Sequence, residues 1–175
     1  HGVEGTGLVR VPGRRTLLKQ RVCSSSQILL RLDSGSTEDL DTPAENELLL
    51  RLSDAWATCD AVIVSDYGYG ILTHRVVSMI ELLQARDPRV LVVDAKDPTR
   101  YRGARPTAVK PNYAEVTRLL GVNAVTGEAR VEQVMGREQD VLDLTGARVA
   151  AVTLDVDGGV VLERGRPAYR TFTRP

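Results

Sequence analysis

The stretch 61-AVIVSDYGYG-70, followed by 73-THRVVSMIELLQAR-86, 90-VLVVDAKD-97 and 108-AVKPNYAEV-116, decides the fold. Val62-Ile63-Val64 and Val90-Leu91-Val92-Val93 are continuous apolar runs, the pattern of strands covered on both faces. Between them Thr73 is placed to cap a helix on which Val76, Val77, Ile80 and Leu83 share one side. Strand, helix and strand in that order make a parallel pair joined by a right-handed crossover. Ligands of such sheets collect outside the carboxyl ends of the strands. Those ends carry Ser65-Asp66, Asp94-Ala95-Lys96 and Lys110-Pro111-Asn112, so polar groups converge where a site is expected.

Working outward, 175 residues of which 42% are hydrophobic suffice for one domain with a full core. The formal net charge is zero, which offers no basic groove for nucleic acid and no attraction to an anionic membrane surface. No apolar run approaches the ~20 residues of a membrane helix, and no signal peptide is visible at the start. Cys23 and Cys59 lack metal-site spacing and read as reduced thiols, so a cytoplasmic location is expected. Three of the 23 basic residues are lysines: Lys19, Lys96 and Lys110. Two of them directly follow expected strands, where an ammonium meets a phosphate or is simply solvated.

Residues 16–22 and 27–33 are short extended runs in which Lys19, Arg21, Arg31 and Asp33 alternate with Leu18, Val22, Leu30 and Leu32. They predict a hairpin, either a lid over a small anion or an ordinary exposed sheet. Thr42-Pro43-Ala44-Glu45 reads as a capping box, opening a helix with Leu48, Leu49, Leu52, Ala55 and Trp56 inward. The two glycines of Asp66-Tyr67-Gly68-Tyr69-Gly70 permit a tight loop. There Asp66 either caps a turn or binds substrate hydroxyls.

Arg100, Arg102 and Arg105 decorate the loop after Asp94. Asn112 and Glu115 have the spacing of a capping box, and a carboxylate so placed also suits hydrated Mg²⁺. Residues 128–145 read as one helix with Val131, Val134, Val141 and Leu142 inward and Gly136 as its weak point. Residues 149–154 read as a buried strand, and residues 160–162 and 169–172 as a terminal hairpin. The expected fold is α/β: a mainly parallel sheet with helices on both faces over residues 42–175, and a small β lid over residues 14–34.

Val62-Ile63-Val64-Ser65-Asp66-Tyr67, the Asp94-Ala95-Lys96 turn and Pro111-Asn112-x-x-Glu115, in that order, resemble the ribokinase-like (PfkB) carbohydrate kinases. The likeness is strongest to their heptose 7-phosphate kinase branch, whose lid segment Lys19, Arg21, Gln27, Arg31 and Asp33 resemble. The resemblance implies a three-layer fold and transfer of the γ-phosphoryl group of ATP to a hydroxyl of a sugar or sugar phosphate. It places Lys19, Arg21, Gln27, Arg31 and Asp66 on the substrate side. It places Lys96, Asn112, Glu115, Thr153, Asp155 and Gly158 on the nucleotide side, with Asn112 and Glu115 serving Mg²⁺ through water. A homodimer formed through the lid is also implied.

Three departures stand out. Asp155 replaces a glycine usual after the strand, and Tyr69 stands where heptose kinases often carry lysine. The family's Gly-Ala-Gly-Asp motif, which supplies the base and the anion hole, is expected just after Pro175, and its amino-terminal sheet before His1. The chain is thus expected to be the middle of a kinase, with no catalytic base of its own and no activity alone. Two other classes stay open: a non-catalytic nucleotide- or sugar-binding module, and another ribokinase-like kinase acting on a different sugar. A Rossmann-type oxidoreductase is disfavoured, since no Gly-x-Gly-x-x-Gly follows an expected strand.

Overall fold

The computed structural model describes residues 5–25 and 27–172. His1 to Glu4, Ser26 and Thr173 to Pro175 lie outside the described residues, and with them parts of the expected opening, hairpin turn and carboxyl end. Strands β1 (Leu18–Ser24) and β2 (Gln27–Ser34) pair antiparallel as a sheet of their own. The main sheet runs β3 (Ala61–Asp66), β4 (Val90–Ala95), β5 (Ala108–Val109), β6 (Val149–Thr153), β7 (Gly159–Glu163) and β8 (Tyr169–Thr171), in chain order. From β3 to β6 the pairing is parallel, and β7 and β8 add antiparallel. The four expected core strands are therefore neighbours, and their carboxyl ends share one edge.

Register explains where the core sits. Val62 pairs with Leu91 and Val64 with Val93, and the same face continues through Val109, Ala150, Val152, Val160 and Leu162. All join one apolar cluster with Trp56, Ile80, Val116, Val134 and Leu142. Each Val or Leu so buried contributes roughly 1.5–3 kcal/mol. The opposite face carries Ile63, Val92, Ala108, Ala151 and Val161, and none of these is buried. Ile63 is 75% exposed, so among the described residues the helices cover one face of the sheet and leave the other open.

Helix α2 (His74–Arg86) makes the crossover from β3 to β4 as its pattern predicts. Thr73 accepts from the Val76 N–H, and Val76, Val77 and Ile80 are buried. Helix α1 (Thr42–Trp56) begins differently from expectation, because its cap is Asp41, whose Oδ1 accepts from the Ala44 N–H at 2.9 Å. Thr42 is already helical. Glu45 is not free to close a box at α1, since its carboxylate accepts from the Thr73 hydroxyl and pairs with Arg75. The one long helix expected over residues 128–145 is two, α4 (Ala129–Met135) and α5 (Glu138–Thr145). At the break Arg137 leaves helical geometry with φ of −121°, just after Gly136. Bending there lets Val131 and Val134 on one piece and Val141 and Leu142 on the other all reach the core. Between α2 and α4 lies α3 (Tyr113–Leu120). Among the described residues no helix is long and apolar enough to cross a membrane.

Glu45 links α1 to the cap of α2. The hydrogen bond from Thr73, helped by Arg75, holds its pKa below the ordinary 4.5. A carboxylate lowered on folding adds stability above its unfolded pKa and loses it as pH falls through the folded value. Urea midpoints measured from pH 7 to 3 should therefore fall below about pH 4.5, and in Glu45→Gln the fall should be shallower. An identical pH profile in the variant would remove Glu45 from the acid response.

Candidate functional site

Asp66 ends β3 and is 5% exposed. Its Oδ1 accepts from the Gly68 N–H at 2.9 Å. Its Oδ2 accepts from Arg100 Nη1 at 2.8 Å and from the Tyr101 hydroxyl at 2.7 Å. Tyr101 is fully buried, and burial beside that carboxylate raises its pKa. Arg100 also donates to the Leu72 carbonyl at 2.6 Å. The carboxylate thus fastens the 66–70 loop to the 3-10 turn Pro98–Ala104, and both of its oxygens are occupied by protein donors. Gly68 and Gly70 take φ of 71° and 69°, as the loop requires.

That loop presents Tyr67 and Tyr69, stacked with centroids 6.1 Å apart. Lys19 reaches down from β1, its Nζ 4.4 Å from the Tyr67 centroid and 5.2 Å from that of Tyr69. Lys96, just past β4, lies 5.2 Å from the same Tyr69 ring. Such contacts are worth about 0.5–1 kcal/mol each where exposed. The polar face of the hairpin therefore looks onto the strand ends. On that face Arg31 makes two hydrogen bonds to Asp33, at 3.0 and 2.6 Å. Asp33 is lowered chiefly by this bond, with Lys19 and Arg21 assisting. No ion pair engages Lys19, Arg21 or Lys96 among the described residues.

On the other side of Lys96 lies the start of α3. Asn112 Oδ1 accepts from the Glu115 N–H at 2.9 Å, and Glu115 Oε2 accepts from the Asn112 N–H at 2.8 Å. This is the reciprocal box expected from spacing alone. Asn112 bridges to Thr153 at the end of β6, and the Thr153 N–H donates to the Pro111 carbonyl at 3.1 Å. Lys96, Thr99, Glu115 and Arg118 line a cavity of about 300 Å³. Beyond β6, Asp155 occupies the left-handed region at φ of 55°, which glycine adopts more freely. Gly158 has φ of 86°, and a Cβ on it would collide with the Thr171 carbonyl.

The structure therefore gathers Lys19, Lys96 and the Tyr67–Tyr69 pair at one place, and Lys96, Asn112, Glu115 and Thr153 beside it. Lys96 belongs to both groups. Arg21, Arg31 and Asp33 stay on the hairpin face, while Gln27 lies at the hairpin tip opposite Ser24. Asp66 sits beneath the site as a buried anchor. Asp155 and Gly158 form the turn after β6. Reading the sequence missed Tyr67, Tyr101 and Arg118, and took Arg100 as decoration. For the two tyrosines the signal was an aromatic residue in an otherwise polar, glycine-containing loop, and Arg118 on α3 gave none.

A sheet whose parallel strands end on Asp66, Lys96 and an Asn-x-x-Glu cap, under a separate β-hairpin, defines the class. In sequence the chain is similar to the bifunctional HldE proteins and in fold to the ribokinase-like (PfkB) carbohydrate kinases, which supports that family and its HldE branch. The HldE protein of Desulfatibacillum aliphaticivorans is 30% identical over 175 residues, 99% of this chain and 35% of that protein. That of Wolinella succinogenes is 30% identical over 159 residues, 90% of this chain and 32% of that protein. This chain thus spans about a third of the length of these curated relatives. No family model matches it. Among solved structures, phosphofructokinase-2 of Escherichia coli superposes with a TM-score of 0.67 at 16% identity, over 93% of this chain and 51% of that one. Ribokinase of Giardia lamblia gives 0.66 at 14% identity, over 94% and 50%. At such identities the likeness shows the fold.

Removing one partner of a buried charged pair leaves the others unsatisfied. Asp66→Ala is expected to destabilise the protein by roughly 3 kcal/mol in urea unfolding, with Asp66→Asn costing less because an amide still accepts from Gly68. A loss under about 0.5 kcal/mol for the alanine variant would contradict the anchoring role.

Proposed function

We propose that the full-length protein carrying this chain transfers the γ-phosphoryl group of ATP to a hydroxyl of a sugar phosphate, with heptose 7-phosphate the leading acceptor. One observation carries the reading. Lys96 stands between a hairpin lysine over two tyrosines and a capped helix start with a free carboxylate edge. A cation so placed serves phosphates on both sides, and phosphoryl transfer depends on such positioning and charge stabilisation. Lys19 and Arg21, without ion-pair partners among the described residues, supply charge for the acceptor's own phosphate. The E. coli phosphofructokinase-2 of the same fold has been solved with fructose 6-phosphate, which supports an acceptor of this kind.

Mg²⁺ and ATP fit the residues present. Only one oxygen of Glu115 is taken by the helix cap, and the other is available to a hydrated ion. Among the described residues no group of three or more His, Cys, Asp or Glu is close enough to cage a metal. A magnesium ion here would therefore keep most of its water and rely on the nucleotide phosphates. Bound MgATP supplies the phosphoryl group. The chain's own part is to hold those phosphates with Lys96, Asn112 and Glu115, and to close the hairpin over the acceptor. The 175 residues contain no Gly-Ala-Gly-Asp motif, so this reading assigns them no proton acceptor and expects no turnover from them alone.

The reading extends to a homodimer through the hairpin. The side of β1 and β2 turned away from the site carries Leu18, Val22, Leu30 and Leu32, each at least half exposed. An isolated two-stranded ribbon is marginal in water, and a second copy of the same apolar face would cover it about a two-fold axis. Leu30→Lys should shift sedimentation of the full-length protein towards the monomer.

The main test is Glu115→Gln in the full-length protein, since Gln keeps the helix cap. With Mg²⁺, ATP and heptose 7-phosphate, steady-state ADP release should fall about tenfold or more, and the Mg²⁺ needed for half-maximal rate should rise. A folded variant with unchanged turnover and unchanged Mg²⁺ dependence would return Asn112 and Glu115 to a purely structural cap.

A further inference from the structure

We propose that Arg130 is a positioning residue for the nucleotide side of the site, a clamp that holds the 155–158 turn and the start of α3 in one arrangement. The proposal rests on the nucleotide reading above, and no sequence motif singled out this residue. Arg130 lies on α4, far in sequence from both segments it joins.

The contacts are specific. Arg130 Nη2 meets Asp155 Oδ2 at 2.9 Å and Nη1 meets Asp157 Oδ2 at 3.0 Å. The guanidinium carbon lies 4.5 Å from the Tyr113 centroid. Tyr113 is the first residue of α3, next to Asn112, and it is itself fixed. Its hydroxyl donates to Gln133 Oε1 at 2.5 Å and accepts from the Val125 N–H at 2.8 Å. The Arg130 side chain is 14% exposed while that of Asp155 is 79% exposed. The arginine is therefore the held partner, and it draws an otherwise solvated carboxylate back onto the protein.

What the clamp holds is a turn with a left-handed aspartate. Asp155 stands at φ of 55°, a left-handed conformation that aspartate tolerates better than most residues but less readily than glycine. Glycine would adopt it freely. Here an arginine reaching both acidic residues of the turn supplies the restraint that backbone preference does not. Because Thr153 bridges to Asn112, the turn and the helix cap abut. One guanidinium thus sets the spacing between the two segments assigned to the nucleotide. Lysine cannot reproduce this, since a single ammonium does not span two carboxylates and a ring face in a fixed plane.

The full-length protein, R130A, R130K, D155G and the double variant R130A/D155G provide the test. Three quantities are read: amide hydrogen exchange at residues 154–158, MgADP affinity by calorimetry, and the KM values for ATP and for the acceptor. R130A should speed exchange in the turn, weaken MgADP about tenfold and raise the KM for ATP, with the acceptor KM within about twofold. R130K should fall between wild type and R130A, and it serves as the folded variant if R130A melts. In the D155G background, where the turn needs less restraint, the R130A penalty should shrink to about threefold or less.

Unchanged exchange in R130A and R130K, an equal rise in both KM values, or a full tenfold penalty surviving in D155G would each overturn the clamp. A wild-type protein that binds no MgADP would instead overturn the nucleotide reading beneath it, and the exchange data would still report on the turn.

Discussion

A buried carboxylate has to be paired, and in this protein that requirement is met by Asp66. With 5% of its surface exposed, it accepts from one backbone amide, one guanidinium and one phenol. Those three donors come from the loop after β3 and from the 3-10 turn after β4. Satisfying one charge therefore brings two strand-end loops together. The Lys96 N–H completes the junction by donating to the Asp66 carbonyl at 3.1 Å. Everything that faces the site on this side, from the stacked tyrosines to Lys96, is referenced to that buried group.

The site is built from units of unequal stiffness. The helix start at Asn112 is held by reciprocal side-chain-to-backbone bonds and the bridge to Thr153, with Val116 fully buried one turn on. The hairpin is mostly exposed along its length. It meets the strand ends through Lys19 lying over Tyr67 and Tyr69, contacts of small energy that a phosphate could replace. An element that must admit and release a ligand is expected at the weakly held end of this range. The open face of the main sheet, with Ile63 at its edge, is a separate matter, since parallel sheets are normally covered on both sides.

What was legible in the sequence was whatever is local or periodic. The β3–α2–β4 crossover followed from two apolar runs and one helical stripe. The Asn112–Glu115 box followed from a spacing of three, and the hairpin from alternation of charged and apolar residues. The polar residues expected at the strand ends, Asp66, Lys96 and Asn112, do lie there. Competition between neighbours was not legible. Asp41 takes the α1 cap, and Glu45 is engaged by Thr73 and Arg75, some thirty residues away. Gly136 was legible as a weak point, but that the helix breaks there so that Val131 and Val134 on one piece and Val141 and Leu142 on the other reach one core was not. Arg130 and Asp155, or Lys19 and Tyr67, meet only through the tertiary fold, so no window of sequence announces them. Asp66 illustrates the limit best, since its position at the end of β3 was legible but its partners Arg100 and Tyr101 were not.

The most direct measurement is a crystal structure of the full-length protein with Mg²⁺ and a non-hydrolysable ATP analogue. The account predicts the triphosphate between Lys96 and the Asn112–Glu115 turn, with the nucleoside along residues 153–158. Density for the analogue elsewhere, with Lys96 and Glu115 contacting only solvent, would contradict it.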